Sequence, residues 1–215
     1  MKNLHGFIIV LTLLISGSKI IAQDKNDFVW AIGYPPSVPS FFFGGDLIDF
    51  NMGEPAISYF SINYDMDNPV CMSDNNGNLQ YYTSGCAIIN REHVIMENGD
   101  NLSPGYYHDY YCGGLGYISF QGMVTLPMPG HDDEYVLFHH RQYQYKDSID
   151  LLLTLVDMKA NNGLGKVIEK NYFLEYGLLS QSFSAVRHGN GRDWWIVAPE
   201  DNKSVFHLGV FQIVA

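Results

Sequence analysis

Basic residues are scarce in this chain: 12 Lys and Arg stand against 23 Asp and Glu. A surface so short of cations cannot neutralise a phosphate backbone, which argues against nucleic acid as a partner. Runs of Ala, Leu, Glu and Lys at helical spacing are also few, while Gly (21), Tyr (15) and Phe (13) are plentiful. That balance favours strands and tight turns, so the mature chain is expected to be all-β. Only three cysteines occur, none in a CxxC or His-spaced arrangement, and a zinc site is not expected. The sequence contains no nucleophile elbow, P-loop or HExxH. No cofactor is expected, and a non-enzymatic role is favoured.

Long apolar runs are missing too, with one exception at the start. MKNLHGFIIVLTLLISGSKIIAQ places Lys2 before an apolar stretch from Phe7 to Ile15, then small polar residues and Ala22. This is the three-part pattern of a secretory signal peptide, residues 1–23, and it is too short for a comfortable membrane span. Cleavage on either side of Gln23 removes Lys2 and Lys19 and leaves 10 basic against 23 acidic residues, a net charge of −13. The mature product is expected to be secreted, extracellular or at the cell surface, with no membrane span.

What fills the remainder is a recurring hairpin. In DNNGNLQYYTSGC a turn rich in residues that tolerate positive φ precedes an aromatic strand, and Ser84-Gly85 closes it. Strands are expected at Val70–Ser73, Leu79–Thr83, Ala87–Asn90 and His93–Met96, an up-and-down meander of four. A second meander follows at Met123–Leu126, Tyr135–His140, Leu151–Asp157 and Lys166–Phe173, and a third opens at Ser182–Arg187, Trp194–Ala198 and Val205–Val214. The aromatic or bulky second strands, LQYY, EYVLFH and DWWIVA, recur about every 55 to 60 residues, within reach of the ~50-residue propeller period. Central strands such as LLLTLVDM are apolar on both faces, so each sheet must stack on a neighbour. The reading is an incomplete β-propeller, an open arc of two full four-stranded blades (69–105 and 118–175) and a partial third (180–215), after a lead-in segment 24–68 with two short strands.

The segments DNNGNLQYYTSGCAIINREHVIMENGDNLSPG, VTLPMPGHDDEYVLFHH, LVDMKANNGLGKVIEKN and AVRHGNGRDWWIV resemble the N-terminal β-propeller region of large secreted proteins of gliding, type IX-secreting Gram-negative bacteria. The resemblance covers nearly the whole mature chain, and HGNGRDWWIV is its most specific part. It implies a surface or extracellular interaction scaffold, with further blades and a C-terminal sorting domain in the full-length members. On that basis the chain is expected to be a truncated member whose partners include the missing blades.

Several side chains invite a chemical role. Arg187, His188, Arg192, Asp193 and Trp194 surround the turn GNG and would suit a carboxylate or a sugar, through arginine forks and a stacking indole. The alternative is that Asp193 and the arginines brace the turn while a tryptophan packs between blades. His139 and His140 are neighbours on one strand, point to opposite faces and cannot share a metal. His131-Asp132-Asp133-Glu134 reads as a solvated turn rather than an ion site. The pairs Asp147/Asp150 and Asp132/Asp133 lie on single loops, whereas a glycosidase needs two acids across a cleft.

The cysteines carry a geometric argument. Across the first hairpin Cys71 faces Tyr82, so a bridge to Cys86 would cross the middle strand, over roughly 9 to 10 Å. Cys86, at a blade end, can instead meet Cys112 in the loop YYCGGLGY. A Cys86–Cys112 disulfide is expected, stabilising by about 3 kcal/mol through closure of the intervening loop. Two functions remain: a binding or scaffold module for an extracellular protein or glycan, or a secreted carbohydrate-active propeller. What separates them is whether acidic and aromatic side chains from different blades converge in one axial pocket.

Overall fold

The computed structural model describes residues 24–34, 44–62, 65–66, 68–113, 116–117, 121–144, 149–178, 182–199 and 206–211. Residues 1–23, where a signal peptide is expected, and most of the loop YPPSVPSFFFGG lie outside them. The described chain is all-β, built as four antiparallel meander sheets in sequence order. Sheet A contains β1 (Val29–Gly33), β2 (Gly45–Asp49) and β3 (Ala56–Phe60). Sheet B contains β4 (Val70–Ser73), β5 (Leu79–Thr83) and β6 (Ile88–Asn90). Sheet C has four strands, β7 (Met123–Pro127), β8 (Glu134–Gln142), β9 (Ile149–Asp157) and β10 (Lys166–Leu178). Sheet D has β11 (Ser184–Arg187), β12 (Trp194–Pro199) and β13 (Phe206–Phe211).

Alternation along each strand decides how the sheets stack. Tyr81 and Tyr82 are consecutive on β5 and both fully buried, so sheet B is covered on both faces. Tyr82 and Ile89 pack with Ala31, Leu47 and Phe60 of sheet A. Tyr81 and Ile88 pack on the other side with Tyr135, Leu137 and Val156 of sheet C. Sheet C then turns Val136, Phe138 and Leu153 toward Ile196 and Ala198 of sheet D and toward Phe183, which directly precedes β11. The result is a series A, B, C, D, in which β1 touches β4 and β4 touches β7.

Two expectations about the blades need correction. The first meander has three strands, not four, because 93–96 forms only an isolated bridge, Ile89 with Ile95. Backbone breaks at His93 (φ 63°), Asn98 (58°), Asn101 (51°) and Ser103 (50°) prevent a regular strand there. Residues 93–96 stay beside β6, with Asn90 N–H donating to Val94 O and Met96 N–H to Ile88 O, and the next two residues fasten onto sheet C: Val167 N–H donates to Glu97 O, Asn98 Nδ2 donates to Val167 O, and Lys166 pairs with Glu97 at 2.7 Å. The lead-in, for its part, folds into a complete three-stranded sheet.

Turn chemistry behaves as its residues dictate. Asp74 Oδ1 accepts from the Asn76 and Asn78 backbone N–H groups, both at 2.9 Å, and Gly77 takes φ 88°. The loop after sheet B contains a helix that the sequence conceals, α1 (Tyr106–Tyr111), which buries none of its residues and so leaves no apolar period. Its tyrosines stack in pairs one turn apart, Tyr106 on Tyr110 and Tyr107 on Tyr111. Cys112 follows directly and forms the expected disulfide with Cys86, the Cα atoms 5.5 Å apart. Cys71 stands opposite Tyr82, also as expected, with its sulfur accepting from Ala31 N–H at 3.1 Å. Burial pushes the Cys71 thiol up to about 11. In the native protein we therefore expect no rapid reaction with a thiol reagent and one reactive thiol after unfolding; a thiol count of three in denaturant without reductant would contradict the bridge.

The adjacent histidines occupy opposite faces. His139, fully buried between sheets B and C, shares Nδ1 with Ser103 Oγ (2.7 Å) and Nε2 with Thr154 Oγ1 (2.9 Å). His140 lies on the other side against Phe183. Burial, with the neighbouring His140, pushes His139 down to about 3, and burial alone pushes His140 down to about 4. Both are neutral in the native state, while the unfolded chain protonates near 6.5. Below that pH the unfolded state binds protons that the folded state does not, so stability falls on acidification until about pH 4. The expected slope is about 1.4 kcal/mol per pH unit for each histidine. Denaturant titrations from pH 7 to 4 should show this slope, and His139→Gln should remove about half of it.

Candidate functional site

The turns that join first to second strands in sheets B, C and D gather at one end of the stack. There, Asn75 of the β4–β5 turn, residues 127–132 of the β7–β8 turn and Arg187, Gly191, Arg192 and Trp194 of the β11–β12 hairpin meet Asp24 and Asn26 around a cleft of about 250 Å³. A second cavity of about 530 Å³ continues along the first strands, lined by Cys71 and Met72 of β4, Thr125 and Leu126 of β7, and Arg187 beside β12's Trp194. Asp24, Asn26, Pro127, Arg187 and Trp194 belong to both. One funnel thus receives side chains from successive sheets.

Arg187 is the centre of its electrostatics. One guanidinium nitrogen sits 2.6 Å from the Asp24 carboxylate, and the guanidinium carbon lies 4.9 Å from the centre of the Trp194 ring. The indole is fixed from below by Nε1–H donation to Pro127 O at 3.2 Å, and its body packs among the residues between sheets C and D. A cation already caps that ring face, so a sugar could stack on it only after Arg187 had moved.

Of the five residues singled out around GNG, three line the cleft: Arg187, Arg192 and Trp194. Asp193 serves the turn, accepting from Arg192 Nε at 2.7 Å and Asn190 Nδ2 at 2.6 Å while its own N–H donates to Asn190 Oδ1. His188 does likewise: Nδ1 accepts from the Asn190 N–H, and the ring rests on Trp195, with centroids 5.1 Å apart. In the HDDE turn, His131 pairs with Glu134 at 3.1 Å and Asp133 with Lys159 at 3.1 Å, while Asp132 lines the cleft. Asp147 lies outside the described residues. Asp150 is buried and accepts from Arg141 Nε (3.1 Å) and Tyr143 Oη (2.6 Å) on its own sheet, remote from the funnel lining.

Sequence reasoning missed Asp24, Asn26 and Asn75, which approach Arg187 only through the stacking of sheets A and B on C and D. Nothing in their local sequence signals it. The chain matches no protein-family model, no curated protein and no solved structure.

The two kinds of contact predict different mutational costs. Arg187→Ala breaks an ion pair whose partners are each about two-fifths exposed, and solvent screening keeps its effect within about 1 kcal/mol. Trp194→Ala removes an indole wedged between two sheets and should cost about 2 to 4 kcal/mol. Urea unfolding of the two variants checks the contrast; equal losses would mean that Arg187 is structural.

Proposed function

We propose that the chain is an exported, open-arc β-propeller module that binds an extracellular protein or glycan through the funnel at its strand-turn end, without turning the ligand over. The observation that carries this reading is the one funnel lined by first strands and first hairpins of successive sheets, the place where a propeller gathers its innermost strands. Export accords with the disulfide, and among the described residues no helix is long and apolar enough to cross a membrane. The likeness to propeller regions of type IX-secreted proteins fits the same picture, in which the arc presents a ligand-binding end and further blades of a longer parent extend the ring.

Binding is favoured over catalysis by the state of the acids. A general acid works when an apolar setting holds it protonated. Asp24, Asp27 and Asp132 line the funnel but are all exposed, and Asp24 is already engaged by Arg187. The second reading, a carbohydrate-active enzyme, draws on the same convergence of acids from separate sheets with Tyr135 and Trp194.

One experiment addresses both. The mature chain, recovered from the medium or surface of an expressing Gram-negative host, should begin at Gln23 or Asp24 by N-terminal sequencing. Screened against glycan and surface-protein arrays, it should bind without releasing reducing ends, and Arg187→Glu should weaken that binding at least tenfold. Turnover of a polysaccharide that Asp132→Asn abolishes would establish the enzyme reading instead.

A further inference from the structure

Helix α1 carries aromatic surface that the core does not use. Four of its six residues are tyrosines, and it buries none of them. Tyr110 is 65% and Tyr106 43% exposed, while Tyr107 and Tyr111 are half-buried. The rings order one another: Tyr106 stacks on Tyr110 with 16° between their planes and Tyr107 on Tyr111 with 18°, and the two stacks meet edge-on through Tyr106 with Tyr107 and Tyr110 with Tyr111. Contiguous exposed surface of this kind marks an interaction site.

The helix sits far from the funnel. It touches β8, and Tyr117, a few residues beyond the disulfide, accepts from the Gln142 N–H at the end of that strand. Burial pushes Tyr117 up to about 12, with Tyr107 and Asp150 adding to the effect, which places these three groups together. Beside them Arg141 lies over the Tyr143 ring, 5.5 Å from its centre, and both side chains donate to Asp150. The nine residues of β8 span about 27 Å, and the funnel borders the other end of the strand at Tyr135. The helix is also pinned. Cys112 follows Tyr111 directly, and its disulfide to Cys86 ties α1 to the turn between β5 and β6, an anchorage that packing does not supply. Sheets B and C, which flank this loop, are each covered on both faces by other sheets of the chain, so blades added beyond sheet A or sheet D would stack elsewhere.

We propose that the α1 tyrosines form a second binding site, a platform on which a neutral polysaccharide stacks its sugar rings. The inference is independent of the propeller reading. Area selects this occupant over a folded protein. An aromatic side chain offers about 150 to 250 Å², so the exposed fractions of Tyr106 and Tyr110 amount to roughly 200 Å², a quarter of the ~800 Å² that each partner gives to a standard protein interface. Composition points the same way. The helix offers rings, hydroxyls, His108 and Asp109 but no aliphatic side chain, and a pyranose matches that mixture with C–H faces and a rim of hydroxyls. Charge decides between neutral and acidic glycans. Arg141 is already engaged by Asp150, Asp109 is exposed, and the whole chain is acidic, so an anionic polymer is repelled. The rings are ordered before binding, and little conformational entropy is lost when a sugar arrives.

Platform and funnel are separable by mutation. The mature chain is run in native gels cast with hydroxyethyl cellulose, xylan, galactomannan or mannan, and with alginate as the anionic counterpart. At least one neutral polysaccharide should retard it, and alginate should not. In the retarding gel Tyr106→Ala and Tyr110→Ala should each weaken binding at least fivefold, Tyr110→Phe should keep it within twofold, and Arg187→Glu in the funnel should leave it unchanged. Because α1 buries nothing, the alanine variants should retain the wild-type urea midpoint, so that their loss is one of binding and not of folding. No retardation in any neutral gel would overturn the platform, as would retardation by alginate or undiminished binding by the Tyr106→Ala/Tyr110→Ala double variant. Tyr110→Phe as weak as Tyr110→Ala would rule out stacking. Binding lost with Arg187→Glu but kept in the tyrosine variants would place the glycan in the funnel instead.

Discussion

Two adjacent tyrosines set the architecture. Tyr81 and Tyr82 point to opposite faces of β5, and both are fully buried. A sheet with apolar side chains on both faces cannot rest in water, and its two faces must find two neighbours. Sheet C repeats the condition with Leu137 and Phe138. Each sheet covers the next, and the stack acquires a direction. The polar groups caught between the layers must then be satisfied in place, as His139 is by Ser103 and Thr154.

Most of the strand pattern is legible in the sequence because it depends on local chemistry. The DNNGN turn closes on Asp74 whatever lies around it and sets Ser73 opposite Leu79; a register shift between Met72 and Ser73 then brings Cys71 opposite Tyr82. The disulfide is legible for the same reason: once a strand lies between Cys71 and Cys86, Cys112 is the remaining partner. What escapes is decided between sheets. Residues 93–96 have strand-like composition, yet the left-handed residues after them turn the chain onto β10, and Asn171 completes the clamp by accepting from Ser103 N–H and donating to Asn101 O. The α1 tyrosines stack on one another and bury nothing in the core, so no periodicity betrays the helix.

The candidate site divides along the same line. Asp193 and His188 are tied by hydrogen bonds within three residues of themselves, which is why a turn-bracing role could be weighed from sequence. Arg187 is different. Its partner Asp24 is far along the chain, and the two meet only because the first strands of successive sheets run beside one cavity. A site assembled in this way can vary at its turn end while the stacked faces stay fixed, since hairpin residues line most of the smaller cleft and strand residues most of the larger cavity.

The serial stack and the shared funnel are not independent. Stacking apolar faces fixes the separation of consecutive sheets near 10 Å, and the contacts of β1 with β4 and of β4 with β7 show that the first strands are the ones brought together. The first strands of sheets A, B and C therefore lie side by side along one edge of the stack. The funnel lies along that edge. Its mixed lining follows as well: at the turn end backbone groups need side-chain or solvent partners, so Asn, Asp and Arg collect there, while along the strands Met72 and Leu126 also line it. The same constraint that makes every sheet need a neighbour therefore also places a recess beside the first strands, where polar turns and apolar strand residues meet.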